Sequence, residues 1–173
     1  MNHTDVLVIG AGTAGLAAYR NAKKLHKKVK LVEGYQHGTT CARVGCMPSK
    51  LLIAASEAAH AIGDASVFGI HATLDSINGF EVMDRVRRER DRFVGFVQSD
   101  VDAFDEEDKI QGIASFIDAH TVAIRQQNGG IELWHTDTVV VATGSRPQYP
   151  AAWTALKDKL LVNDDIFNWT TLP

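Results

Sequence analysis

The stretch Asp5-Val6-Leu7-Val8-Ile9-Gly10-Ala11-Gly12-Thr13-Ala14-Gly15 decides the fold class. Its first half is a compact apolar run, which predicts a buried strand, and its second half matches the pattern G-x-G-x-x-G. Good helix formers fill residues 14–28, and lysines close that segment, as the C-terminal end of a helix favours. A second apolar run follows at residues 29–32. The sequence therefore predicts a strand–helix–strand unit with two parallel neighbouring strands, and hence an α/β fold.

The glycine pattern alone is weak evidence, because three glycines in six residues also occur by chance. Its position between a predicted strand and a predicted helix makes it informative. Glu33 closes the second strand 21 residues after Gly12, near the ~20 typical of dinucleotide-binding folds. In such folds the first glycine makes a tight turn, the second lets the backbone approach a pyrophosphate, and the third permits close helix–strand packing. Glu33 would accept hydrogen bonds from a ribose hydroxyl and repel a 2′-phosphate. We predict a dinucleotide site; the alternative is that the glycines only shape a strand–helix corner.

The composition is that of a folded globular protein of one domain. The 173 residues are 45% hydrophobic and 23% charged, with a net charge of −3, and the isoelectric point is near 6.1. No overall positive field exists to collect nucleic acid or anionic lipid, so we expect neither partner. The sequence has no uncharged apolar run long enough for a membrane helix, and its first residues lack a signal-peptide pattern. We therefore expect a cytoplasmic protein.

The rest of the chain predicts two further helices and several short strands. One helix opens near Met47-Pro48 and runs to about residue 62, and an amphipathic helix covers residues 80–104. The charged stretch 85–92 lies on its polar face, which we interpret as a solvated surface rather than a nucleic-acid patch. Residues 110–117, 121–125 and 131–135 predict a small β-meander, and residues 138–142 a strand buried on both faces.

Cys41 and Cys46 are the two cysteines of the chain, and they are the first candidates for catalysis. A zinc site with His37 as a third ligand is one alternative, although structural zinc prefers a tighter thiol pair and two more nearby ligands. A structural disulfide or two inert cysteines are others. A redox pair is favoured, because the predicted helix start and Lys50 both stabilise a thiolate at Cys46. Cys41 falls in the preceding loop, where we expect it to be the more accessible thiol.

Several motifs together resemble one family. They are residues 10–15, Glu33, the run Thr39-Thr40-Cys41-Ala42-Arg43-Val44-Gly45-Cys46-Met47-Pro48-Ser49-Lys50, and Ala142-Thr143-Gly144-Ser145-Arg146-Pro147. In this order they resemble the FAD domain of the pyridine nucleotide-disulfide oxidoreductases, most of all the dihydrolipoamide dehydrogenases. The departures are small: Gly38-Thr39-Thr40-Cys41 stands for the usual Gly-Gly-Thr-Cys, and Ala42-Arg43 for Leu-Asn. The disulfide substrate stays open, since glutathione, mercuric and lipoamide relatives share this pattern.

The resemblance implies a Rossmann-like FAD-binding domain with a parallel sheet, flanking helices and a small β-meander. It implies FAD as cofactor, NAD or NADP as co-substrate, a small or protein-bound disulfide as substrate, and a homodimer. Cys46 would be the charge-transfer thiol and Cys41 the interchange thiol that attacks the substrate. The implied cofactor contacts are Gly10, Gly12, Thr13, Ala14, Gly15, Glu33, Gly38, Thr39, Thr40, Lys50, Ala114, Ala142, Thr143, Gly144 and Ser145.

The chain is also shorter than the family it resembles, whose members are more than twice this length. No glycine follows Gly144, so a second G-x-G-x-x-G for a nicotinamide nucleotide is excluded within these residues. We expect residues 1–173 to be the FAD domain of a longer enzyme, without NAD(P)-binding and interface domains and inactive alone. The alternative is a stand-alone nucleotide-binding module whose cysteine pair senses redox state without turnover. We expect no catalytic role for His26, His60 or His120.

Overall fold

The computed structural model describes the backbone of residues 1–173 and every side chain except that of Lys157. The strands are β1 (Asn2–Ile9), β2 (Val29–Glu33), β3 (Lys109–Phe116), β4 (Thr121–Gln126) and β5 (Ile131–Val141). The α-helices are α1 (Thr13–Lys24), α2 (Thr40–Arg43), α3 (Cys46–Asp64) and α4 (Gly79–Asp102). Short 3-10 helices cover Ala65–Phe68, Glu106–Asp108, Ala151–Lys159 and Ile166–Asn168.

The five strands form one closed ring of pairings. β1 is parallel to both β2 and β5, and β2 is parallel to β3. β4 is antiparallel to both β3 and β5 and closes the ring. The predicted α/β class and the parallel β1–β2 pair are confirmed. β3, β4 and β5 follow one another as antiparallel neighbours in the region of the predicted β-meander, and β3 and β5 also pair in parallel with β2 and β1.

β5 also corrects the prediction of two strands at residues 131–135 and 138–142. It is one strand that pairs with β4 through its first half and with β1 through its second. The polar residue Thr136 does not break it, since the fully buried hydroxyl donates to the carbonyl of Thr138 at 2.9 Å. The prediction that this strand end is buried on both faces is also wrong, because the side chain of Val141 is 63% exposed.

The chain divides into two compact units, which we describe separately. The first unit comprises Met1–Thr40 and Gly95–Ser145 and contains the barrel and α1. Successive residues of β1 face opposite sides of the sheet. Leu7 packs inside the barrel with Val122 and Ile124, whereas Val8 packs with Leu16 of α1. Both faces of β1 are therefore buried, which fixes the position of the turn that follows it.

The second unit comprises Cys41–Val94 and Arg146–Pro173. It contains α3 and most of α4, whose polar face is less solvated than predicted. Arg90 donates to the carbonyl of Phe167 at 3.0 Å and to Asn168 Oδ1 at 3.0 Å, and Arg87 donates to the carbonyl of Trp169. These arginines bind the C-terminal segment to α4.

α3 belongs to the helical segment Thr40–Phe68, which could cross a membrane by length and composition alone. An 18-residue stretch of this segment has a mean hydropathy of 1.2, and none of it is buried. Core helices of soluble proteins, which are mostly buried, and signal sequences reach the same length and hydropathy, so this one helix does not by itself indicate a membrane span.

Candidate functional site

The turn after β1 is built on Gly10. Its φ is +104°, a backbone conformation that glycine adopts without steric penalty. A Cβ at this position would lie 2.3 Å from the carbonyl oxygen of Ala142. The ends of β1 and β5 are held together here, since the Ala142 N–H donates to the Ile9 carbonyl at 2.8 Å. A side chain at residue 10 would therefore separate the two strands.

Gly15 lies in the first turn of α1, where the helix comes closest to the strand. A Cβ there would lie 1.7 Å from the carbonyl oxygen of Gly10 and 3.4 Å from Cγ1 of Val8. The helix can start this close to β1 only because residue 15 has no side chain.

Gly12 has different surroundings from these two glycines. It is the N-cap of α1, with φ −79° and ψ −173°, and no side chain caps the helix there. A Cβ would meet no atom within 4 Å, and the next two residues, Thr13 and Ala14, are exposed. The first N–H groups of a helix lack partners within the helix and carry its positive end. The open space at Gly12 and this uncapped helix start together suit a phosphate group.

Glu33 ends β2 and joins it to the glycine turn. Its carboxylate accepts the N–H of Ala11 at 2.7 Å through Oε2 and the N–H of Tyr35 at 2.9 Å through Oε1. An acidic side chain therefore lies beside the turn, where it stabilises the backbone and can accept further hydrogen bonds.

The structure brings the glycine turn, Glu33 and the start of the segment 142–145 together within the first unit. Of the remaining candidates, Ala114 lies in β3 opposite Ile124 of β4. The other candidates of the first unit are half-buried Gly38, buried Thr39, exposed Thr40, and exposed Thr143, Gly144 and Ser145.

From sequence, His37 is a candidate only for a third zinc ligand. Its Nδ1 atom is buried and has no hydrogen-bond partner among the described residues. Within the described part of the chain, no group of three or more His, Cys, Asp or Glu side chains is placed to hold a metal. A buried ring nitrogen without a partner next to Gly38 is therefore a further candidate contact for a bound ligand.

The thiol pair lies in the second unit, across the break between α2 and α3. Both cysteines are free thiols; Cys41 is half-buried in α2, and Cys46 is the exposed first residue of α3. The expectation that Cys41 is the more accessible thiol is wrong, because Cys41 lies in a short helix rather than an open loop. A hydrogen bond to Cys46, together with burial, raises the pKa of the Cys41 thiol above its ordinary value of 9.0.

This hydrogen bond shows that the two sulfurs are neighbours, as disulfide exchange requires. The raised pKa keeps the Cys41 thiol protonated near neutral pH. Lys50 is exposed and follows Cys46 by four residues in α3, which places the two side chains on one face of the helix.

Comparison with known proteins identifies the family of this chain. The family model described as "Pyridine nucleotide-disulphide oxidoreductase" matches residues 4–166. A soluble pyridine nucleotide transhydrogenase of Vibrio cholerae is 34% identical over 96% of this chain and 36% of its own length. Dihydrolipoyl dehydrogenase 3 of Haloarcula marismortui is 32% identical over 98% of the chain and 36% of its own length.

A dihydrolipoyl dehydrogenase of Mycobacterium bovis is 34% identical over 84% of the chain and 31% of its own length. The chain thus spans about one third of the length of these curated relatives.

Proposed function

Because this chain belongs to the pyridine nucleotide-disulphide oxidoreductase family, we propose that it is the FAD-binding, thiol-bearing domain of a disulfide reductase that uses NADH or NADPH. The observation that carries the proposal is the hydrogen-bonded pair Cys41 and Cys46. The chain's coverage of 36% of two relatives supports its being one domain of a longer enzyme. As the family resemblance implies, the whole enzyme would be a homodimer, and we further propose a cytoplasmic location.

The first unit would hold FAD through the glycine turn. The backbone at Gly12 and the N–H groups at the start of α1 would bind the pyrophosphate, and Glu33 would accept hydrogen bonds from the adenosine ribose. The further contacts that we propose within this unit are Gly10, Thr13, Ala14, Gly15, Gly38, Thr39, Thr40, Ala114, Ala142, Thr143, Gly144 and Ser145. FAD supplies the two-electron exchange with the nicotinamide when it is bound.

The thiol pair would reduce a substrate disulfide in two exchange steps. One cysteine thiolate attacks a substrate sulfur, so a mixed disulfide forms, the substrate S–S bond breaks, and the released thiolate takes a proton. The second cysteine then attacks the first, which forms the Cys41–Cys46 disulfide and releases the second substrate thiol. The substrate gains two electrons and the pair loses two. By the family resemblance, Cys41 would make the first attack as its thiolate, and Cys46 would resolve the mixed disulfide.

Pyridine nucleotide transhydrogenation is the second candidate, since relatives named for that activity share 34% identity with this chain. Exchange of hydride between two nicotinamides needs a flavin but no thiol. The neighbouring thiols therefore favour disulfide reduction. In the full-length enzyme, replacing both cysteines by serine separates the two: hydride exchange between nicotinamides would survive, whereas disulfide reduction would be lost.

The reduced chain itself provides the direct test. Oxidised lipoamide and glutathione disulfide should each be tried, and mass spectrometry should show that the chain loses two hydrogens as Cys41 and Cys46 become linked. The matched variants Cys41→Ser and Cys46→Ser should stop at the mixed disulfide, because the resolving thiol is missing. If the reduced chain exchanges with neither disulfide, or if both variants still lose two hydrogens, the thiol pair does not have this role.

A further inference from the structure

A cavity of about 630 Å³ lies at the sheet edge opposite the glycine turn, where β1 and β2 begin. Four lysines and two histidines line it, against the carboxylates of Glu107 and Asp108. The whole chain carries a net charge of −3, so this concentration of positive charge is a local feature. The basic residues are His3, Lys23, His26, Lys27, Lys28 and Lys30.

Two of these lysines are fixed by the buried carboxylate of Asp108, which is only 6% exposed. Asp108 accepts hydrogen bonds from the Tyr19 hydroxyl at 2.9 Å and from Lys23 Nζ at 2.7 Å, and Lys30 Nζ lies 3.6 Å away. Lys23 also binds Asp105 at 2.7 Å. Lys23 and Lys30 therefore form an ordered side of the cavity, and the neighbouring carboxylates largely compensate their positive charge.

Lys27 and Lys28 are exposed, and neither forms an ion pair with any side chain that the structure describes. They are not needed to cap α1 either. The His26 N–H donates to the Lys23 carbonyl, and the Lys27 N–H donates to the Ala22 carbonyl, both at 3.0 Å. This backbone pattern is a Schellman motif, which already satisfies the last carbonyls of the helix. The two ammonium groups thus remain available to a ligand.

His26 occupies the residue of this motif that is usually glycine. Its φ is +54°, in the left-handed region where a side chain is disfavoured, although histidine enters it more often than most residues. A glycine would close the helix with less strain, so folding alone does not explain an imidazole here. His26 lines the cavity together with Lys27 and Lys28.

We propose that this cavity binds a compact, multiply charged anion of the phosphate type, of which inorganic pyrophosphate is the simplest. Lys27, Lys28 and the imidazole of His26 would contact the anion. The volume of about 630 Å³ lies in the range of small-ligand pockets, roughly 300–1,000 Å³. The negative net charge disfavours a large polyanion such as nucleic acid. The eight residues of β1, roughly 25 Å of strand, separate this site from Gly10.

The test is a titration of the 173-residue chain with inorganic pyrophosphate, followed by the ring-proton NMR signals of His3 and His26. Binding should shift these signals at constant ionic strength. The double variant Lys27→Gln/Lys28→Gln should bind at least about tenfold more weakly, because two cations are lost. Lys159→Gln removes an exposed lysine outside the cavity and should bind like wild type. Gly12→Ala should also leave this binding unchanged, which separates the cavity from the dinucleotide site.

His26→Gly provides a variant that eases the backbone and so should fold. It should weaken pyrophosphate binding, read from the remaining His3 signal. The proposal is overturned if sodium chloride at equal ionic strength shifts the signals as pyrophosphate does, or if the double lysine variant retains wild-type affinity. It is also overturned if Gly12→Ala abolishes the shifts, since the anion would then bind at the start of α1.

Discussion

Gly15→Ala should destabilise the first unit far more than Gly12→Ala, although both replace a glycine of the same turn. At residue 15 the new Cβ would lie 1.7 Å from the Gly10 carbonyl oxygen, and real contacts of this kind stay above 3.0 Å. α1 must then move away from β1 by roughly 1 Å or more, which separates Leu16 and Tyr19 from Val8 in the core they share. Overpacking commonly costs about 1–3 kcal/mol, and the backbone clash places this variant near about 3 kcal/mol. In a chain of 173 residues, that lowers the melting temperature by roughly 6–12 °C.

Gly12→Ala is the matched control, because its Cβ meets no atom within 4 Å and φ is −79°. Alanine is a poorer N-cap than glycine, which lowers the free energy of unfolding by about 0.5–1 kcal/mol. Alanine also restricts the unfolded chain more than glycine does, which raises the free energy of unfolding by about 0.4–1 kcal/mol. Stability should therefore change little, while FAD affinity should fall at least about tenfold, or ~1.4 kcal/mol, because the methyl group occupies the space proposed for the pyrophosphate.

Urea unfolding followed by circular dichroism gives the first quantity, and flavin fluorescence during FAD titration gives the second. Equal unfolding midpoints for Gly12→Ala and Gly15→Ala would refute the packing argument. Unchanged FAD affinity in Gly12→Ala would refute the binding argument.

Three further predictions follow from ionisable groups. At pH 7, limiting N-ethylmaleimide should label Cys46 before Cys41, because Cys46 is exposed. Cys41 should react more slowly, since a hydrogen bond and burial raise the pKa of its thiol and keep it protonated. Peptide mapping that finds Cys41 labelled first would contradict this prediction. Burial and the hydrogen bond to Asp108 raise the pKa of Tyr19 to about 12, so Tyr19→Phe should remove one tyrosinate absorbance step near that pH. The stability linked to its proton is complete below pH 10 and is lost as the pH rises toward 12. The N–H groups of His120 and Thr121 lower the pKa of Asp118, so Asp118→Asn should unfold more readily than wild type at pH 6. The difference in urea midpoint between Asp118→Asn and wild type should shrink as the pH falls below 3.8 and Asp118 becomes protonated. Equal midpoints at pH 6 would contradict this prediction.

Apolar periodicity predicted the elements whose burial is local. The predicted helix at residues 80–104 is α4, Gly79–Asp102, because an amphipathic stripe reports directly on the buried face. Ring closure could not be predicted in this way, since the parallel pairings of β3 with β2 and of β5 with β1 join residues distant in sequence. The continuity of β5 depends on how the buried hydroxyl of Thr136 is satisfied, which the residue type alone does not reveal.

The end of α1 was placed too late for a related reason. Residues 25–28 are compatible with a helix, and no glycine marks the stop. The helix ends at Lys24 because His26 takes the left-handed conformation and the next backbone N–H groups turn back to the helix carbonyls. Because this turn at His26 was not predicted, Lys27 and Lys28 were interpreted only as charges favoured by the helix dipole. Their approach to the start of β1 and β2 depends on this turn.

The two thiols show what spacing can and cannot predict about a site. In an unbroken helix, residues five apart point about 140° away from each other at 100° per residue, so Cys41 and Cys46 would not meet. The structure ends α2 at Arg43 and starts α3 at Cys46, with Gly45 at φ −127° and ψ −116° between them. This break turns the chain so that the two sulfurs are hydrogen-bonded. The position of Cys46 at a helix start was predicted from Pro48, because proline is favoured in the first helical turn. The half-burial of Cys41 was not predicted. It depends on the short helix α2, and residues 34–45 show no apolar periodicity that would indicate this helix. Relative thiol exposure, and with it the order of reaction toward small reagents, is therefore set by the break at Gly45 rather than by the cysteine spacing.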